Sequence, residues 1–213
     1  MVHARIPLAG LVFDMDGTLI ESHAAVPAAY RAAVVAGGGR PPSDEEVIAG
    51  YPLGAPEHLL AALLRRPATR VDLDRYHDEL ARAADRVTVY DGVADLLAEV
   101  GRRLPVGVFT GASARAARIL LDRTGLAAHV RVIVGGDQVA RPKPDPEGVL
   151  LACRRLGVEP ARVAYVGDSP LDLGAARAAG ALSVAAAWGH LYDPGVAADL
   201  VAGRPGDLVA LVR

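Results

Sequence analysis

Only one cysteine, Cys153, occurs in the 213 residues. A single thiol closes no disulfide within the chain, which suits a reducing compartment. Its place in a helical apolar pattern between Leu151 and Leu156 marks it as core filler rather than a catalytic thiol. Lysine is equally scarce: 22 of the 23 basic residues are Arg, and the remaining one is Lys143. There is no basic excess. The formal net charge is −2 and the pI about 6.3, which argues against a nucleic-acid surface with its basic stripe. The pairs Arg65-Arg66 and Arg102-Arg103 lie near acidic residues or helix ends and read as solvated helix surface. No apolar run approaches the length of a membrane span, so none is expected. Met1–Arg5 has neither the charged n-region nor the apolar h-region of a secretory signal, and the expectation is a cytoplasmic protein. What the chain has in quantity is apolar residues, 52% of the total. At this length they suffice for one generous domain, or for a core domain carrying a smaller insertion.

The order of elements favours the second. Gly10-Leu11-Val12-Phe13 is a short apolar run ending at Asp14 and reads as a buried strand. The next stretch is helical in pattern. Ser22 is placed to cap a helix through Val26, Tyr30, Ala33 and Val34, stopped by Gly37-Gly38-Gly39. Ser43 and Glu46 form a capping box for a second helix, Pro56 starts a third, and Asp72 to Arg86 is a fourth. After Asp91 strands and helices alternate: strands at 105–110, 130–134, 163–166 and 182–186, helices at 113–124, 146–156 and 171–179. Such alternation implies a parallel sheet covered on both faces. The expected fold is therefore α/β: a Rossmann-like parallel-sheet core, residues 1–19 and 89–213, with a small all-helical cap, residues 20–88, inserted after the first strand.

In open parallel sheets ligands bind beyond the carboxyl ends of the strands. The first strand ends in Asp14-Met15-Asp16-Gly17-Thr18, the second in Thr110-Gly111, and the fourth in Gly167-Asp168-Ser169 with Asp172 four residues on. Lys143 lies in the loop after the third. Taken singly, each has a bland reading: a strand-end Asp is often a helix cap, and a loop Lys is often a solvated charge. Together at one sheet edge they suit phosphoryl transfer. Several carboxylates and a phosphate dianion need a cation among them, and a hard, oxygen-ligated Mg²⁺ fits, with Lys143 assisting. One Asp then serves as nucleophile and another as proton donor. Gly17 allows a sharp turn that brings backbone near a phosphate.

Asp14-Met15-Asp16-Gly17-Thr18-Leu19, then Thr110, then Lys143, then Gly167-Asp168-Ser169-Pro170-Leu171-Asp172 resemble the four ordered motifs of the haloacid dehalogenase-like superfamily. The resemblance spans essentially the whole chain, and the helical insertion resembles the helical-cap subfamily that includes phosphoglycolate phosphatases. It implies Asp14 as the nucleophile that becomes phosphorylated and Asp16 as the acid that protonates the leaving oxygen and later activates water. It implies Mg²⁺ held by Asp14, Asp168 and the backbone carbonyl of Asp16, and phosphate held by Gly17, Thr110, Gly111 and Lys143. Asp172 would support the metal shell or orient Lys143.

What is missing narrows the branch. Dehalogenases typically lack the second Asp, so Asp16 argues for a phosphoryl substrate. Phosphonoacetaldehyde hydrolases use a cap Lys, and residues 20–88 contain none. Mutases of the β-phosphoglucomutase type usually carry a His where this chain has Val26, and a Glu where it has Gly167. The reading is a phosphatase acting on a small phosphorylated metabolite (phosphoglycolate, a sugar phosphate or a nucleotide-like ester), with no nucleic-acid or membrane partner, as a monomer or homodimer. A mutase or pyrophosphatase is the alternative, and a non-catalytic binding protein on this fold comes last. His23, Tyr51 and His58 are the candidates for touching the substrate.

Overall fold

The computed structural model describes residues 7–212. Met1–Arg5, read above for a secretory leader, lie outside them.

The apolar run β1 (Gly10–Phe13) is buried at every position, because both faces of the sheet are covered around it. Leu11 and Phe13 pack into one apolar cluster, and Val12 packs into a second on the opposite face. Two-residue β2 (Ile20–Glu21) leads into four helices, α1 (Val26–Ala36), α2 (Asp44–Ala49), α3 (Pro56–Leu64) and α4 (Arg70–Ala83). The chain returns through β3 (Thr88–Val89), which pairs antiparallel with β2, Ile20 opposite Val89. This short ribbon is the double crossing between the helical unit and the rest.

Alternation follows: α5 (Val93–Gly101), β4 (Val106–Phe109), α6 (Ala114–Arg123), β5 (Val132–Val134), α7 (Glu147–Leu156), β6 (Val163–Gly167), α8 (Pro170–Ala179), β7 (Leu182–Ala186) and β8 (Leu200–Ala202). The six-stranded sheet has the order β5-β4-β1-β6-β7-β8, with every neighbouring pair parallel. This is the expected Rossmann-like α/β core. Its order reverses about β1, which lies between β4 and β6, so the ends of these three strands share one crevice.

Local chemistry set several boundaries differently from expectation. Ser22 does not cap α1; the helix starts at Val26 with Pro27 in its first turn and no side-chain cap, and the Ser22 hydroxyl is used elsewhere. The Ser43–Glu46 capping box forms as its spacing predicts. α4 begins at Arg70 rather than Asp72, because Thr69 caps it reciprocally with Asp72. The sequence reading did not anticipate α5 or β8. Cys153 is buried on α7, and burial pushes its thiol up to about 11, which fits filler. No helix among the described residues is long and apolar enough to cross a membrane.

Candidate active site

The Asp14 N–H donates to the Val166 carbonyl at 2.8 Å, which fixes Asp14 at the junction of β1 and β6. The following turn closes when the N–H groups of Leu19 and Ile20 donate to the Met15 carbonyl at 2.9 and 3.1 Å. Gly17 has φ +85°, and a Cβ there would fall 2.3 Å from Asp168 Oδ2, so only glycine fits. Asp16 points back to the start of the helical unit, where the Ser22 hydroxyl donates to its Oδ1 at 2.5 Å. Thr110 ends β4 as a buried residue, and its Oγ1 accepts from Ala112 N–H at 3.1 Å.

Lys143 bridges the core of the site. Its ammonium donates to Asp14 Oδ1 at 2.5 Å and to Asp172 Oδ1 at 2.7 Å, with the side chain 11% exposed. The ammonium lies 5.0 Å from the centre of the Phe109 ring and 5.6 Å from that of Tyr165, a cation–π setting. Asp172 is committed through both oxygens. Oδ2 accepts from the Ser169 backbone N–H at 3.0 Å and from its hydroxyl at 2.6 Å, capping α8, while Oδ1 accepts from Lys143 and lies 3.0 Å from the Tyr165 hydroxyl. Of the two roles left open for Asp172, this bonding favours orienting Lys143. A Cβ on Gly167 would lie 2.4 Å from Asp172 Cβ, so a side chain there would displace the start of α8.

Burial dominates the electrostatics. It works to lower Lys143, but the carboxylates of Asp14 and Asp172 outweigh it and hold the ammonium protonated well above its usual range. Burial raises the Asp14 carboxyl, with Lys143 opposing. Asp16 is raised by burial against the Ser22 hydrogen bond, which keeps a proton available on that carboxyl closer to neutrality. Asp168 is pushed up to about 6 by burial, against the Leu191 N–H.

Asp14, Asp168 and Asp172 each offer an oxygen within 4.8 Å of the others. Asp168 Oδ2 accepts from Leu191 N–H at 3.0 Å, but its Oδ1 is buried with no hydrogen-bond partner among the described residues. An orphaned buried carboxylate oxygen is costly unless something positive meets it. An all-oxygen donor set with that orphan beside Asp14 fits a hard dication.

A cavity of about 300 Å³ opens over these groups. Asp14, Asp16, Thr110, Gly111, Lys143 and Asp168 line its core side, with Asp172 behind Lys143. Gly17 lies beneath Asp168 rather than on the wall. From the helical unit, His23 and Tyr51 line the cavity, but His58 does not: it stands exposed on α3, whose buried face carries Leu59 and Leu60 instead. The wall also includes Val26, Tyr30, Ile48 and Tyr76, none of which the sequence reading had singled out as a site residue.

His190 and Leu191, beyond β7, line the cavity too. His190 meets His23 edge-on with ring centres 4.0 Å apart, and Trp188 Nε1 donates to the Thr18 carbonyl at 2.9 Å, tying this segment to the first turn. The sequence signal for it was Trp188-Gly189-His190 following a strand at the sheet edge. His77 is outside the cavity: its Nε2 is 2.7 Å from the Ser113 hydroxyl, joining α4 to the start of α6.

The chain resembles known proteins over most of its length. Residues 8–180 match the family model described as haloacid dehalogenase-like hydrolase. The chain is 34% identical to N-acetylmuramic acid 6-phosphate phosphatase of Pseudomonas aeruginosa, covering 96% of this chain and 95% of that one. It is 33% identical to phosphoglycolate phosphatase of Chromobacterium violaceum, covering 95% and 96%. Among solved structures, CbbY from Rhodobacter sphaeroides in complex with phosphate shares the fold, with TM-score 0.79 and 24% identity over 94% of this chain and 96% of that one.

Proposed function

The chain belongs to the haloacid dehalogenase-like hydrolases, and we propose that it is a magnesium-dependent phosphatase cleaving a small organic phosphomonoester through an aspartyl-phosphate. The observation that carries this reading is the bonding of Lys143 to Asp14 beside the orphaned Asp168 Oδ1. The named substrates of the relatives, phosphoglycolate and N-acetylmuramic acid 6-phosphate, define the size class, and the cavity volume matches the small end of metabolite pockets, about 300–1,000 Å³.

In this proposal a carboxylate oxygen of Asp14 attacks phosphorus in line while the bond to the leaving oxygen breaks. Asp16 gives that oxygen its proton, so the product leaves as a neutral alcohol. Water then attacks the phosphorus of the aspartyl-phosphate, Asp16 takes the water's proton, and the bond to Asp14 breaks to release inorganic phosphate. Lys143 offsets charge on the transferring group, and Thr110 with the Gly111 backbone positions its oxygens. Asp14, Asp168 and the Asp16 carbonyl would hold Mg²⁺, which when bound stabilises charge on the phosphoryl oxygens.

Residues 20–88 would act as a cap hinged at the β2–β3 ribbon. Its contacts with α6 and the Ser113 cap before it include His77 with Ser113, Arg115 with Asp74 at 2.5 Å, and Arg123 with Asp85. Closure excludes water during the first transfer, and opening admits it for the second.

The test is hydrolysis of p-nitrophenyl phosphate with and without Mg²⁺. Wild type should release phosphate only with the metal, and Asp14→Asn should fall to background while keeping its fold by circular dichroism. Turnover by the Asn variant near the wild-type rate would falsify the nucleophile assignment.

A further inference from the structure

The cavity's wall from the helical unit is short of cations in a way the rest of that unit is not. Arg31, Arg40, Arg66 and Arg82 are all exposed or half-exposed and engaged with carboxylates away from the site: Asp44, Glu46, Asp72 and Glu79 respectively. Among the described residues no Arg lines the cavity, and the one Lys that does is Lys143. That ammonium already serves two carboxylates, Asp14 and Asp172. Two imidazoles also line the cavity: His23 has its Nδ1 2.6 Å from Glu21, and His190 has its Nδ1 3.8 Å from Asp168 Oδ2, so each stands beside a carboxylate.

What the wall offers is apolar surface and phenol. Tyr30 and Tyr76 stack with ring centres 4.3 Å apart and face the cavity with Tyr51. Burial is the first cause that raises all three above the usual phenol range, and the Asp16 carboxylate adds to it, so they present neutral hydroxyls at any physiological pH. Seven large apolar residues are exposed among the described residues, and three of them, Ile48, Leu171 and Leu191, line this cavity. The start of α1 offers no compensating anion site either. The Ala25 and Val26 N–H groups both donate to the Ser22 carbonyl, and position 27 is proline.

A second negative charge on the substrate would enter this space facing carboxylates and apolar side chains, without a cation to replace its water. Burying an unpaired charge is strongly unfavourable, whereas hydroxyls on a neutral leaving group meet three phenols. We infer that the alcohol released by this site carries no negative charge of its own, being a hydroxylated or partly apolar neutral group. Acid-bearing esters such as phosphoglycolate, and bisphosphates, are then poor substrates. The inference rests on the phosphatase reading above and narrows it.

The experiment measures kcat/KM with Mg²⁺ on two matched pairs, 2-hydroxyethyl phosphate against 2-phosphoglycolate and fructose 6-phosphate against fructose 1,6-bisphosphate, with p-nitrophenyl phosphate as the reference. The neutral member of each pair should be favoured by about tenfold or more. Ile48→Arg, at the cavity's exposed edge, should shrink both ratios by roughly fivefold, mainly by lowering KM for the charged member. Hydrolysis of p-nitrophenyl phosphate together with equal or better turnover of the charged members would overturn the inference and leave the phosphatase reading standing. Ratios that Ile48→Arg leaves unmoved would overturn the charge argument for them. Absence of Mg²⁺-dependent turnover on every compound would overturn the phosphatase reading, and the inference with it.

Discussion

Replacing Lys143 by Met keeps most of the side chain's volume and removes its charge from between two buried carboxylates. Asp14 and Asp172 are 8% and 2% exposed at their side chains, so neither can recover its hydration without local opening. Breaking a buried pair by removing one partner costs about 3–5 kcal/mol. Protonation limits the loss. A carboxyl with a reference pKa near 3.9 can be neutralised at pH 7 for about 1.36 × 3.1, or roughly 4 kcal/mol, and at pH 5 for roughly 1.5 kcal/mol. In wild type burial already raises Asp14 and Lys143 opposes it; without Lys143 the raised carboxyl goes higher still. A group whose folded pKa lies above its unfolded value binds more protons when folded, so its penalty grows as pH rises above the unfolded value. Lys143→Met should therefore lose about 3–4 kcal/mol by urea denaturation at pH 7 in EDTA, and distinctly less at pH 5. Turnover should fall by about 100-fold or more, because Asp14 is held protonated and the transferring charge loses its ammonium. Lys143→Arg should restore little, since a planar fork does not replace a point charge seated between two carboxylates and over two rings. A stability loss equal at both pH values, or turnover within tenfold of wild type, would refute this account.

The remaining predictions rest on other contacts. Asp168→Ala should raise the Mg²⁺ concentration needed for half-maximal activity by about 100-fold or more, and EDTA should silence wild type; full activity in EDTA would remove the metal from the proposal. Asp72 is held well below the usual carboxylate range, first by Arg66 and then by Thr69, so its contribution is complete above about pH 4 and is lost as pH falls through the depressed value. Asp72→Asn should cost about 1–2 kcal/mol at pH 7 by thermal melting, and the gap to wild type should narrow below pH 4. Gly167 and Val26 stand where mutases of the sugar type differ, and a side chain at 167 would strike Asp172. With β-glucose 1-phosphate, malachite green should therefore register free phosphate without any bisphosphate primer; clean conversion to glucose 6-phosphate by NMR would favour the mutase.

Much of the core was legible because it is written locally. β1, β4, β6 and β7 are compact apolar runs that end in polar or glycine-rich turns, and in a parallel sheet those ends share an edge whatever the remaining details. The Ser43–Glu46 box works at a separation of three residues, so its spacing alone predicts it. Asp172 was legible in two ways, as a helix cap and as a partner of the site, and both hold because a carboxylate has two oxygens: Oδ2 caps α8 and Oδ1 holds Lys143. Elements with weak local signatures were not legible. β8 is three residues at the sheet's edge, and α5 lies in a stretch whose first helical residue follows a glycine without a capping side chain.

The cavity's far wall was decided only by packing. Tyr51 and His58 sit seven residues apart, and sequence offers no reason to separate them, but α3 buries Leu59 and Leu60 and so turns His58 outward, while Tyr51 stays on the short turn before it. Tyr30 and Tyr76 are 46 residues apart in sequence and meet only because α1 packs on α4. His190 reaches the cavity through the Trp188 bond to Thr18, a contact across 170 residues. Sequence periodicity fixes which face of an element is buried, but which faces end up opposite one another depends on the crossing of whole helices. The residues at the strand ends could therefore be read from the sequence, whereas the phenol-bearing wall that faces them is a product of the tertiary structure.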